Sequence, residues 1–127
     1  DARNYYDNSV TLMPFVIDYK LKLGAFLIDK KQLEAAKEIF ETALNLNPTY
    51  KEIHLNLGYI LILQEKFLKA DLYLKQAIAL DPDYILAYEN LAISSQLQNK
   101  KTNVKVYLNK ILEIAPNHNS RLILENL

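Results

Sequence analysis

Apolar residues in this chain recur in steps of three and four. Ile39, Phe40, Ala43 and Leu44 form one such run, and Leu74, Ala77 and Ile78 form another. That spacing makes a single stripe down one side of a helix. Short polar breaks interrupt the stripes at Asp29-Lys30-Lys31, Gln64-Glu65-Lys66 and Asn99-Lys100-Lys101. Longer breaks carry turn chemistry: Asn47-Pro48-Thr49, Asp81-Pro82-Asp83 and Ala115-Pro116-Asn117. Proline fixes φ there, and Asn or Asp side chains bond nearby backbone. Thr49 followed by Glu52 predicts a capping box at the start of the next helix. Between successive prolines there is room for two helices of about 14 residues each.

The turns fall on one ruler. All four prolines of the chain, Pro14, Pro48, Pro82 and Pro116, stand 34 residues apart. A period of that length is one helix–turn–helix unit that stacks on copies of itself. The only two glycines, Gly24 and Gly58, are also 34 apart. Both lie inside the first helix of their units, where glycine costs about 1 kcal/mol relative to alanine. Close approach of the second helix offsets that cost, because only a missing Cβ admits it. The third unit has the next smallest option, Ala92.

These residues resemble the tetratricopeptide repeat family over nearly the whole chain. The family's Leu-Gly pair reads Leu23-Gly24, Leu57-Gly58 and Leu91-Ala92. Its second-helix motif reads Ala36…Phe40…Ala43…Pro48, then Ala70…Leu74…Ala77…Pro82, then Val104…Leu108…Ile111…Pro116. Ala2…Tyr6…Ser9…Pro14 repeats the motif once more. The resemblance therefore implies an all-α, right-handed solenoid of stacked antiparallel helix pairs. Residues 1–16 would be the second helix of a truncated repeat. Full repeats would occupy 17–50, 51–84 and 85–118, and 119–127 would begin a further or capping helix. The chain departs from the family at its tryptophan column, which reads Lys20, His54 and Tyr88. It also departs at the first-helix tyrosine, which reads Leu27, Leu61 and Ser95. A small Ser95 beside a large Ile111 suggests a volume swap in the third unit.

Composition narrows the function. Fifteen Lys and Arg balance fifteen Asp and Glu, so the basic excess that neutralises phosphates is missing and nucleic acid is not an expected partner. There is no cysteine, hence neither a disulfide framework nor a thiolate metal site. The longest apolar runs, such as Tyr59-Ile60-Leu61-Ile62-Leu63, fall well short of the roughly 18 residues a membrane span needs. No basic-then-apolar leader opens the chain, which reads as an excised module of unassigned compartment. His54 reads as a packing residue in the tryptophan column, and His118 as a solvated loop residue. Two glycines cannot make a phosphate loop, and no histidine pair has metal-ligand spacing. The expectation is a protein with no catalytic activity and no cofactor. Lys30, Lys31, Lys66, Lys100 and Lys101 read as solubilising charge along one edge.

In the resembled family the first helices of successive repeats line a concave groove. Carried onto this chain, that implies Asp18, Leu21, Lys22, Ala25, Ile28 and Asp29 in the first unit. The second contributes Glu52, Leu55, Asn56, Tyr59, Ile62 and Leu63; the third contributes Leu86, Glu89, Asn90, Ile93, Gln96 and Leu97. The expected contact residues are Leu55, Asn56, Tyr59, Ile62, Leu63, Leu86, Glu89, Asn90, Ile93 and Leu97, mostly apolar, as at interaction surfaces. The family's carboxylate clamp needs basic groove residues, and this chain has Leu21, Leu86 and Asn90 there. The partner expected is a protein or peptide, taken as an amphipathic helix or hydrophobic extended segment. A structural element that self-associates through the groove or its open ends, or a groove covered by another segment of the parent chain, is the alternative.

Overall fold

The computed structural model describes the backbone of residues 2–127 and the side chains of residues 12–127. The described residues form seven helices and no strand: α1 (Ala2–Asp29), α2 (Leu33–Leu46), α3 (Lys51–Leu63), α4 (Phe67–Leu80), α5 (Ile85–Leu97), α6 (Lys101–Ile114) and α7 (Ser120–Glu125). The most extensive packing is within the pairs α1–α2, α3–α4 and α5–α6. The short turns make each pair antiparallel. α2 then stacks on α3 and α4 on α5, which produces the expected all-α solenoid. α3 also touches α5 directly, which puts these two first helices side by side on one side of the stack.

The turns inside the units repeat in atomic detail. Lys31, Glu65 and Asn99 each have φ of 60°. Lys31 N–H donates to the Ile28 carbonyl and Gln32 N–H to the Leu27 carbonyl, and the same two bonds recur at Glu65/Lys66 and Asn99/Lys100. This is the Schellman ending, whose left-handed residue is usually glycine. A side chain there costs on the order of 1 kcal/mol. Glu65→Gly is therefore expected to raise stability by about 0.5–1 kcal/mol, read as a higher urea midpoint with unchanged helicity.

The turns between units differ from expectation in two places. Thr49 does not cap α3: Tyr50 holds the N-cap position without a side-chain bond, and the Thr49 hydroxyl donates to Asn47 Oδ1 at 2.7 Å. Asn47 Oδ1 also accepts the Thr49 N–H, as Asp81 Oδ1 accepts the Asp83 N–H. The local Asx turn thus outcompetes the capping box. The second correction concerns Pro14. The break expected there, between residues 1–16 and 17–50, is absent, and α1 continues through the proline. The proline removes one i→i−4 backbone bond there without ending the helix. The packing of Ala2, Tyr6 and Ser9 lies outside the described residues.

The core runs continuously between units. Ile17, Ala36, Phe40 and Ala43 of the first pair pack with Ile53, Leu57 and Ile60 of the second. Leu61, Ile62, Ala70 and Leu74 pack with Leu91 of the third pair, and a last cluster holds Tyr88, Ala92, Val104, Leu108 and Ile111. In the third pair Ser95 and Ile111 are both buried. An ion pair fastens the second unit to the turn before the third, with Lys51 Nζ 2.6 Å from Asp81 Oδ2. That hydrogen bond lowers the Asp81 pKa, helped by the Asp83 N–H, and raises the Lys51 pKa. The Asp81 contribution is present above the usual carboxylate range and is lost as pH falls through its depressed value. The Lys51 contribution is lost only as pH rises through its raised value.

Candidate binding groove

Local bonds tie several of the residues expected on the inner face to neighbours one turn away. On α1, Lys22 pairs with Asp18 one turn away at 3.0 Å. On α3, the Asn56 amide donates to the Glu52 carbonyl at 2.7 Å, and on α5 Asn90 donates to the Leu86 carbonyl at 2.9 Å. Each asparagine so commits one donor to its own helix and keeps its carbonyl oxygen, a hydrogen-bond acceptor, for other contacts. Tyr59 is 38% exposed, and Leu63, Leu86, Ile93 and Leu97 are more exposed still. Glu52, Leu55, Asn56, Glu89 and Asn90 are half-buried.

Ile62 departs from the expectation. It is only 4% exposed and packs in the cluster shared with Leu91. One residue along a helix turns the side chain by about 100°, which carries position 62 out of the face of Tyr59 and Leu63 and towards the next unit. Leu55 leans partly on the same cluster.

The inner face ends in a cavity of about 410 Å³ that sequence reasoning missed. Ile93 and Leu97 of α5, Leu108 of α6 and Ile123 of α7 give it apolar walls, with Glu89 and His118 at its edge. His118 is not a solvated loop residue. Its Nδ1 accepts the Ser120 N–H, so its Nε2–H donates to Glu89 Oε1 at 2.9 Å. These bonds place α7 across the end of the face. A signal existed, since His118 stands 34 and 68 residues after the half-buried Tyr84 and Tyr50 of the same turn. At Tyr84, burial and then the carboxylates of Glu52 and Asp81 push the phenol up to about 12.

His54 behaves as a packing residue. It is buried, and its Nε2–H donates to the Pro48 carbonyl at 2.8 Å. The Tyr88 hydroxyl makes the equivalent bond to the Pro82 carbonyl at 3.1 Å. In both units the tryptophan column thus ties the first helix to its entry turn. Among the described residues, no group of three or more His, Asp or Glu is placed to hold a metal ion. No helix among them is long and apolar enough to cross a membrane.

Among the residues expected on the inner face, charges are mostly acidic. Asp18, Asp29, Glu52 and Glu89 stand against Lys22 alone, and Lys22 is already paired with Asp18.

The architecture has many counterparts among solved structures. The Arabidopsis OM64 TPR domain superposes with a TM-score of 0.80 at 15% identity, over 87% of this chain and 92% of that one. The first TPR of Spaghetti (RPAP3), bound to the HSP90 peptide SRMEEVD, gives 0.79 at 18% identity, over 87% and 90%. YrrB, a TPR protein with an unusual peptide-binding site, gives 0.78 at 22% identity, and the match covers 87% of this chain but 57% of YrrB. At these identities the likeness establishes the fold. No curated protein matches the sequence. A family model described as tetratricopeptide repeat matches residues 27–92, just over half of the chain. That match takes in α2, the complete α3–α4 pair, Gly58 and Ala92, and the chain belongs to the tetratricopeptide repeat family.

Proposed function

We propose that this chain is a non-catalytic protein–protein interaction module whose inner groove buries an apolar segment, an amphipathic helix or an extended hydrophobic peptide. The observation that carries the reading is the exposed apolar row Tyr59, Leu63, Leu86, Ile93 and Leu97 on the inner face. Covering such side chains yields about 1.5–3 kcal/mol for each one fully buried. The RPAP3 domains, bound to HSP90 and HSP70 peptides that end in EEVD, support peptide binding by this fold. The ligand class here differs from theirs. Leu21, Leu86 and Asn90 supply no positive charge for a carboxylate clamp, and Glu52 and Glu89 repel acidic segments. Asn56 and Asn90 add polar contacts that fix orientation.

Tyr59 is the anchor, since interface energy concentrates in aromatic residues near the centre. The test is a Tyr59→Ala, Leu55→Ser double change, measured by fluorescence anisotropy with a labelled amphipathic helix that carries a leucine face. A loss of at least about 30-fold in affinity is expected, the equivalent of one hot spot of about 2 kcal/mol. Unchanged affinity in a variant that keeps its helical circular dichroism would remove the groove as the binding surface.

A further inference from the structure

The cavity between α5, α6 and α7 joins apolar walls to one fixed charge. We propose that it selects the partner: it takes one bulky apolar side chain, and the Glu89 carboxylate at its edge pairs with a lysine or arginine beside that side chain in the bound segment. Such selection rests on the inner groove being the binding surface, and it makes the segment basic as well as apolar. At about 410 Å³ the cavity falls within the roughly 300–1,000 Å³ of ligand sites. Its walls come from three helices, and every lining residue lies between residues 89 and 123. Glu89 is the one ionised side chain among them.

Glu89 is held in place. Its Oε1 accepts the His118 Nε2–H at 2.9 Å. His118 Nδ1 accepts the Ser120 N–H at 3.1 Å, so the imidazole is uncharged in this arrangement and leaves the carboxylate its full negative charge. A carboxylate has a second oxygen and further lone pairs, which suit the N–H donors of an ammonium or guanidinium group. The bond to His118 already fixes the Glu89 side chain, so pairing with a cation needs little further ordering. Glu89, Ile93 and Leu97 follow one another at steps of four, along one side of α5. Ile93 and Leu97 belong both to the exposed apolar row and to the cavity wall. Row, cavity and charge are therefore continuous.

Charge complementarity decides the occupant. Asp18, Asp29, Glu52 and Glu89 are expected on the inner face, and Lys22 there is already paired with Asp18. An acidic segment meets repulsion along the row, and an uncharged one leaves Glu89 without a cation. A bulky apolar residue with a basic neighbour suits both the walls and the edge. The apolar contact then supplies most of the affinity, and the charge supplies the choice of partner.

Tryptamine, an indole ring that carries an ammonium group, probes the cavity by itself. Its titration is followed through the methyl NMR signals of Ile93, Leu108 and Ile123. Saturable shifts are expected, with an affinity at least about tenfold above that of indole-3-acetate, which carries the opposite charge on the same ring. Glu89→Gln keeps an oxygen to accept from His118 and removes the charge. It should weaken tryptamine by about three- to fivefold and strengthen indole-3-acetate. Ile93→Ser, at a position 49% exposed, should weaken both probes alike. For the segment, the labelled leucine-faced helix is made with lysines or with glutamates beside its leucines. The lysine helix should bind at least about tenfold more tightly, by a margin that Glu89→Gln narrows and added salt reduces. Equal affinity of the two probes, shifts confined to residues outside the cavity, or a Glu89→Gln variant that binds tryptamine as the parent does overturns the proposal. So does equal binding of the two helices, which would leave the groove as the binding surface. Helix affinities that Tyr59→Ala, Leu55→Ser leaves unchanged would instead remove the groove, and this selection with it.

Discussion

Phe40→Ala is expected to cost about 3–5 kcal/mol of folding stability, the range for deleting a buried aromatic side chain. Phe40 is completely buried. It packs in the cluster where Ile17, Ala36 and Ala43 of the first pair meet Ile53, Leu57 and Ile60 of the second. Alanine leaves a cavity between helices that cannot collapse without moving both units. The damage is also directional, because repeats are coupled only to their neighbours. Hydrogen exchange should show α1 and α2 losing protection while α5 and α6, which share no buried cluster with Phe40, keep most of theirs. A urea midpoint within error of the parent would refute the argument, and so would uniform loss of protection along the chain.

The second large effect runs the other way in volume. Gly24→Ala is expected to destabilise by about 1–3 kcal/mol, as overpacking does, although alanine is the better helix former by about 1 kcal/mol. A Cβ at Gly24 would stand 2.3 Å from Phe40 Cζ, and one at Gly58 would stand 2.7 Å from Leu74 Cγ. Neither neighbour can yield cheaply: the Phe40 ring is rigid and enclosed, and Leu74 Cγ is a branch point. The third unit already shows the accommodation, with Ala92 in the glycine column and Leu108 in the Phe40 column. Adding Phe40→Leu to Gly24→Ala should therefore recover part of the loss, a favourable coupling in a double-mutant cycle. Strict additivity of the two changes, or a Gly24→Ala midpoint above the parent, would show that the ring has room to move.

The glycine columns illustrate how far the sequence reached. The 34-residue spacing and a mid-helix cost were enough to predict close packing at Gly24 and Gly58. What fills the space is the Phe40 ring and the Leu74 side chain, and no spacing rule names them. The helix pairs, their order and the polar turns were legible for a related reason. Three-and-four periodicity, proline geometry and Asx turns are local, set by residues within a few positions of one another. Even so, Thr49 lost its capping role to Asn47, because two local motifs competed for one hydroxyl.

What the tertiary structure alone decided is which apolar residue faces what. Ile62 and Leu63 are adjacent and both aliphatic, yet Ile62 is core and Leu63 is surface, since the neighbouring unit covers only one of them. Tyr19 and Ile53 share a column, and their exposure is opposite because a second helix stacks before α3 and none does before α1 among the described residues. Pro14 stayed inside α1, and His118 was drawn from its turn to Glu89, 29 residues earlier in the chain. A one-dimensional repeat fixes each residue's angle around its own helix. Burial depends on the atoms that arrive from elsewhere in the chain, and only the folded stack brings them together.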